Sequence, residues 1–227
     1  MTHSYLIAGF GGQGLLFAGK FIVNKGMLEG KEVSWLPSYG PEMRGGTANC
    51  SAIVSDDPVA SPIVDHPNIL MVMNLPSLDK YEDAVQPGGM IFVDSTLIER
   101  KVRRTDVKAV YVPATRLASE NGMTTLANMI LTGRILRELG EFSDEDVEKA
   151  LKKVVSVKHP EMYDVNLKAL KLGAEGQHKG EYKVKVLLHR PHGRRGLVLG
   201  RGLARRAHRP LRLSVPPSRL HLPALRL

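Results

Sequence analysis

The residues of this chain best suited to chemistry are glycines gathered in two loops near its start. Gly9-Phe10-Gly11-Gly12-Gln13-Gly14 follows the apolar run Tyr5-Leu6-Ile7-Ala8. Pro37-Ser38-Tyr39-Gly40-Pro41-Glu42-Met43-Arg44-Gly45-Gly46 follows Val33-Ser34-Trp35-Leu36. Each loop leaves a strand-like stretch, and the first opens an apolar helix-like stretch, Leu15 to Leu28. Backbone without Cβ atoms lets a phosphate or a partner approach closely, and a helix N-terminus adds unpaired N–H groups and positive dipole. Ligands of open α/β sheets gather at the carboxyl ends of strands, where both loops fall. Arg44, next to Gly45 and Gly46, has room to present its planar fork to phosphate or carboxylate. Tyr39 offers an aromatic face and a hydroxyl to the same rim.

Two familiar nucleotide motifs come close and fall short. Gly9, Gly11 and Gly14 have the dinucleotide spacing, but that fingerprint needs an acid at the end of the second strand, about 20 positions on. Here that strand ends in Trp35-Leu36-Pro37-Ser38, and Glu29 and Glu32 lie before it. Gly14 to Gly19-Lys20 fits a phosphate loop up to its lysine, but Phe21 stands where a magnesium-binding hydroxyl belongs. Two alternatives stay open for the first loop: a tight strand-to-helix turn with no ligand, or a seat for an anionic ligand or a partner's cofactor. The Glu42–Arg44 region has three: a subunit interface, a direct cofactor contact, or packing within the chain.

The chain owns a single cysteine, Cys50. A [4Fe–4S] cluster needs four thiolates, so this chain is not expected to hold one by itself. Cys50 sits in an alternating run, Thr47-Ala48-Asn49-Cys50-Ser51-Ala52-Ile53-Val54, and reads as a buried structural thiol. One cysteine excludes a disulfide framework and fits a reducing cytoplasm. No stretch reaches 18 apolar residues, so no membrane span is expected. His3, His66 and His159 have no ligand-spaced partners, and no nucleophile–base pair is visible; the chain is expected to carry no metal site and no catalytic residue.

The net charge of +9 is misleading, because it is confined to one end. Residues 177–227 hold 13 basic residues and one acid, whereas residues 1–176 hold 19 basic and 22 acidic residues. That basic end is rich in Arg, Leu, Pro and His and has no sustained period. It is what a GC-rich coding strand yields in the wrong frame, so a frameshift product without an evolved role is the leading expectation. A nucleic-acid-binding arm and a genuine extension are the alternatives; the arm lacks the interleaved aromatics that stack on bases. Specific nucleic-acid binding is therefore not expected.

Periodicity predicts strands at 4–9, 32–36, 47–55, 69–73, 90–94 and 107–112, and helices at 12–28, 75–83, 114–120, 124–139, 144–154 and 162–176. Ser143 before three acids marks a helix start, and Gly140 after Leu139 a stop. Asp94-Ser95-Thr96 and Pro113-Ala114-Thr115 end apolar strands, either lining the rim or serving as caps. The expected fold class is α/β: a three-layer α/β/α domain over 1–176 with a mostly parallel or mixed sheet, followed by a poorly ordered basic tail over 177–227.

Gly11-Gly12-Gln13-Gly14, Ala18-Gly19-Lys20, the run from Pro37 to Cys50, Ser61-Pro62, Asn74-Leu75-Pro76-Ser77-Leu78 and Ala127-Asn128-Met129 together resemble the gamma subunit of 2-oxoacid:ferredoxin oxidoreductases, and within that family its 2-oxoglutarate and 2-ketoisovalerate branches. The resemblance spans residues 4–176. It implies a subunit inactive alone, in a cytoplasmic heteromer with alpha and beta subunits and, in some complexes, a ferredoxin-like delta subunit. Such complexes oxidatively decarboxylate a 2-oxoacid on thiamine diphosphate and Mg, pass electrons through iron–sulfur clusters to ferredoxin, and release an acyl-coenzyme A. Gly11, Gly12, Gln13, Gly14, Tyr39, Arg44, Gly45 and Gly46 are then candidates for contact with a cofactor or with a partner subunit. The competing reading is a free-standing nucleotide- or anion-binding regulatory module.

Overall fold

A computed structural model describes residues 1–38, 47–155 and 160–176 of the 227-residue chain. Six strands form one sheet: β1 (Thr2–Phe10), β2 (Glu32–Ser38), β3 (Thr47–Ser55), β4 (Ile69–Val72), β5 (Met90–Asp94) and β6 (Lys108–Val112). Their spatial order is β2-β3-β1-β4-β5-β6. The strands β1, β4, β5 and β6 run parallel, and β3 runs antiparallel to both β1 and β2. The run 47–55, although apolar and alternating like its neighbours, therefore breaks a purely parallel pattern. Its register, from Thr2 opposite Ser55 to Phe10 opposite Thr47, extends β1 beyond the predicted 4–9 at both ends.

The central strands are apolar on both sides because both sides are buried. Tyr5, Ile7, Met71 and Phe92 face one cluster, built with α1 (Leu15–Leu28), α3 (Ala114–Glu120), α4 (Ala127–Leu139), α5 (Asp144–Val154) and α6 (Glu161–Glu175). Leu6, Leu70, Val72, Ile91 and Val93 face a smaller cluster, closed by Leu78 of α2 (Leu75–Tyr81), by Val85 and by Ile98. The three layers are thus unequal in thickness. One holds five helices; the other has α2, a 3-10 turn over Glu82–Ala84 and irregular chain.

Local chemistry accounts for the element ends. Ser143 caps α5 by accepting from the Asp146 amide, and three acids in the first turn suit the positive end of the helix dipole. Gly140, at φ 74°, ends α4. The helices α4 and α6 cross with almost no side-chain spacer. A Cβ at Gly133 would lie 2.0 Å from the Leu170 carbonyl oxygen, and one at Gly173 would lie 1.9 Å from that of Ile130. Only glycine fits at either place, which is why the thick layer packs so closely.

Candidate functional site at the carboxyl rim of the sheet

The first glycine loop joins β1 to α1. Gly12, at φ 91°, and Gly14, at φ 72° as the N-cap of α1, take the left-handed conformations that favour glycine. The helix accordingly begins at Leu15 rather than at residue 12. Gln13 is committed to the scaffold: its Oε1 accepts from the Phe10 amide at 2.6 Å, and its Nε2 donates to the Met73 carbonyl at 3.1 Å. It therefore ties the carboxyl end of β1 to that of β4. Asn128, in the first turn of α4, donates from Nδ2 to the Gly14 carbonyl at 2.9 Å. Nothing lies within 4 Å of where a Cβ would stand at Gly11 or Gly12, and both residues are exposed. Their backbone is free to be approached.

Beneath this turn lies a cavity of about 410 Å³, lined by Gly12, Gly14, Phe17, Leu126, Asn128 and Met162 among others. Its walls are mainly apolar. Volume and lining fall within the range of small-molecule sites. No acid stands in the first turn of α1 or of α4, so neither helix N-terminus carries charge that would repel an anion.

The ends of the second loop are anchored beside the first. Chain leaves the sheet at Ser38, which pairs with Asn49, and rejoins it at Thr47, which pairs with Phe10. Ser38 and Thr47 thus stand at the same rim. Tyr39, Arg44, Gly45 and Gly46 lie outside the described residues.

At the other end of the rim, side chains are spent on capping. Asp94, fully buried, accepts from the Thr115 hydroxyl at 2.6 Å and from the amides of Thr115 and Thr96. Thr96 in turn accepts from the Arg116 amide. Asn74 caps α2 by accepting from the Ser77 amide at 2.9 Å. Glu82, buried behind α2, accepts from the amides of Arg103 and Arg104 and pairs with Arg100 at 2.8 Å, which pins the approach to β6. These groups position the rim and leave its chemistry to the glycine turns.

Cys50 lies buried between β3 and α1, where its Sγ donates to the Leu15 carbonyl at 3.4 Å. A Cβ at Gly19 of α1 would meet that sulfur at 2.7 Å, so Gly19 packs directly on the thiol. Burial pushes the thiol pKa up to about 12. Two long-range partnerships had no sequence signal. His3, near the terminus, is buried with Nε2 3.1 Å from Glu141 Oε1, a contact that holds the Glu141 carboxyl below its ordinary range against the opposing effect of burial. The Asn128–Gly14 bond could be anticipated only as an asparagine placed in the first turn of an apolar helix.

The geometry rules against both nucleotide motifs. A dinucleotide fold needs the acid on the strand parallel and adjacent to β1 on that side, and here antiparallel β3 occupies the place. The phosphate-loop candidate from Leu15 to Lys20 is helix throughout, with Gly19 spent on packing. Among the described residues, no three His, Cys, Asp or Glu side chains are grouped to hold a metal ion. No helix among them is long and apolar enough to cross a membrane.

Comparison with known proteins fits this architecture. The chain is 40% identical over 171 residues to ketoisovalerate oxidoreductase subunit VorA of Methanothermobacter thermautotrophicus, covering 74% of this chain and 35% of that one. It spans about a third of the length of the two VorA relatives it matches. With 2-oxoglutarate synthase subunit KorC of the same organism it shares 36% identity over 176 residues, 74% of this chain and 92% of that one. Among solved structures, the gamma subunit of keto/oxoacid ferredoxin oxidoreductase from Geobacter sulfurreducens superposes with a TM-score of 0.64 at 27% identity, covering 76% of this chain and 96% of that one. The sequence pattern of the family described as pyruvate ferredoxin/flavodoxin oxidoreductase matches residues 4–176, and this chain belongs to that family.

Proposed function

We propose that the chain is the gamma-type subunit of a complex that oxidatively decarboxylates a 2-oxoacid, with 2-oxoglutarate favoured, forms the acyl-coenzyme A and reduces ferredoxin. The observation that carries this reading is correspondence along almost the whole of a 2-oxoglutarate synthase subunit, 92% of its length at 36% identity. Alpha and beta subunits, and a ferredoxin-like delta subunit where the complex has one, are its partners in a cytoplasmic heteromer. Thiamine diphosphate with Mg, when bound, supplies the carbanion chemistry of decarboxylation, and iron–sulfur clusters carry the electrons; the alpha and beta subunits carry most of the thiamine site.

This chain's own part is positional. Gln13 and Asn128 hold the turn so that the backbone of Gly11 and Gly12 stays open to an approaching group. Ser38 and Thr47, which flank Tyr39, Arg44, Gly45 and Gly46 in the sequence, end strands on the same rim. We assign this rim to contact with a partner subunit, or with coenzyme A held between subunits. Residues 177–227 have no role in the assembly.

The test is reconstitution. The alpha and beta chains are expressed with and without this one, and reduction of ferredoxin is followed with coenzyme A and 2-oxoglutarate, 2-ketoisovalerate or pyruvate. The expected result is turnover that requires this chain and is fastest with 2-oxoglutarate. Equal turnover without the chain overturns the assignment, and preference for another oxoacid overturns the substrate.

A further inference from the structure

Buried polar atoms are almost always hydrogen-bonded, so one left without a partner calls for an explanation, such as a group that binds there. Among the described residues two carboxamide oxygens stand in that position, Asn128 Oδ1 in α4 and Asn166 Oδ1 in α6. Their residues are only 2% and 1% exposed. Both residues line the cavity of about 410 Å³ beneath the glycine turn. The free end of each amide is fixed by chemistry. Asn128 Nδ2 donates to the Gly14 carbonyl at 2.9 Å, and Asn166 Nδ2 donates to the Met162 carbonyl at 2.6 Å. A carbonyl only accepts, so each amide must turn its nitrogen toward it and leave its oxygen over. The cavity therefore offers two acceptors and needs donors from its occupant.

The other walls narrow the class of ligand. Phe17, Leu126, Val154, Val155 and Met162 are apolar, and no lining residue carries a charge. A charged group would find no counter-ion there, so the part of a ligand inside is neutral. Phe17 brings an aromatic ring and Met162 a thioether, and both favour a flat ring as neighbour. Gly12, which also lines the cavity, belongs to the turn with open backbone at the acid-free N-terminus of α1. An anionic group attached to the ring is best placed there.

We infer that the cavity holds the base of an adenine nucleotide, its exocyclic amine donating to Asn128 Oδ1 and Asn166 Oδ1 and its phosphates lying toward Gly11 and Gly12. Adenine carries an amine and no carbonyl. Guanine and cytosine carry both, and would bury a carbonyl oxygen against apolar walls or against the two acceptors. The two nucleotide motifs that fail in this chain grip ribose and phosphate, whereas these asparagines read a base. The inference deepens the assignment of the glycine rim and rests on it for the position of the phosphates. Free adenine nucleotides and coenzyme A both present this base, and competition separates them.

The experiment titrates adenosine and inosine into the full-length chain. Uncharged nucleosides avoid the attraction that the basic residues beyond 176 exert on phosphates. Adenosine is expected to bind saturably, one per chain, and to shift the side-chain amide resonances of Asn128 and Asn166. Inosine has a carbonyl in place of the amine and leaves both oxygens unmet, so it should bind at least about tenfold more weakly. Asn166→Leu, checked for folding by circular dichroism, should weaken adenosine and leave inosine unchanged; if it does not fold, the wild-type preference decides alone. Displacement of adenosine at raised salt then names the source. Coenzyme A more effective than AMP places the base on coenzyme A, and the reverse places it on a free nucleotide. Equal binding of adenosine and inosine overturns the inference, as does adenosine that fails to bind or binds without moving those two resonances. A folded Asn166→Leu that keeps the full preference overturns it too. None of these outcomes touches the subunit assignment, which stands or falls on turnover in the reconstituted complex.

Discussion

Asn128 and Gly14 stand 114 residues apart, yet the amide of one holds the carbonyl of the other at 2.9 Å. That bond joins the N-terminus of α4 to the N-terminus of α1 and fixes the open glycine turn from below. The Gly14 carbonyl also accepts from the Ala18 amide, so the turn belongs to the helix ladder as well.

Removing Asn128 should therefore loosen the turn without unfolding the domain. Asn128→Ala is expected to cost about 2 kcal/mol, from a lost buried hydrogen bond and a small cavity. Asn128→Asp should cost more, because a buried carboxylate would face the Gly14 carbonyl. Gly14→Ala forces a Cβ to within 2.6 Å of Asn128 at φ 72°, a conformation costing about 1–2 kcal/mol without glycine. The double variant Gly14→Ala with Asn128→Ala should lose less than the sum of the two. Urea unfolding checks this, and additivity within about 0.3 kcal/mol would show that the two sites are not coupled.

The crossing of α4 and α6 makes a second, larger prediction. Gly133→Ala and Gly173→Ala place a methyl against backbone oxygens that cannot move alone, so the helices must separate. Each change should cost about 3 kcal/mol or more, toward the upper end of overpacking penalties. Thermal melts check it: a fall of less than about 3 °C in either variant would mean the helices adjust freely.

How legible all this was depended on range. Elements whose signals are local were readable: six strands and six helices lie where periodicity puts them, and Ser143 and Gly140 act as the cap and stop their types suggest. Where chemistry competes with period, boundaries moved. Gly12 and Gly14 take left-handed conformations and delay α1 to Leu15, and α2 ends at Tyr81, where a 3-10 turn takes over. Strand direction was not readable for β3, because an alternating apolar strand is compatible with either and pairing with β1 decides. Nor could periodicity show that Gly133 and Gly173 meet a facing backbone, or that Gln13 and Asn128 brace the turn. Those facts arise only when distant segments come together.

Cys50 offers a pH-dependent prediction. The unfolded thiol ionises near 9.0, whereas burial keeps the folded one protonated until about 12. Its contribution to stability is therefore complete below pH 9 and lost as pH rises toward 12. Native protein at pH 8 should react with a thiol reagent far more slowly than denatured protein, and Cys50→Ala should flatten the decline of stability between pH 9 and 12. Rapid labelling of the native chain at pH 8 would contradict the burial of this thiol beneath Gly19.

Ending the chain at Gly176 should leave the domain intact. Among the described residues the core closes at or before Ala174, and α6 ends at Glu175. Gly176 itself is worth keeping, because Arg134 donates to its carbonyl at 2.9 Å and would then also meet the new terminal carboxylate. Cutting six residues earlier would remove Gly173 and Ala174 from the α4 crossing and should destabilise severely. The basic residues beyond 176 carry a surplus of 12 positive charges over a body with three more acids than bases. Their removal should lower salt-sensitive retention on nucleic acid, a sequence-independent effect of charge. Melting curves of residues 1–176 and the full chain are expected to agree within about 3 °C, the shift that about 1 kcal/mol produces in a domain of this size. A fall of more than about 10 °C would show that residues beyond Gly176 complete the core.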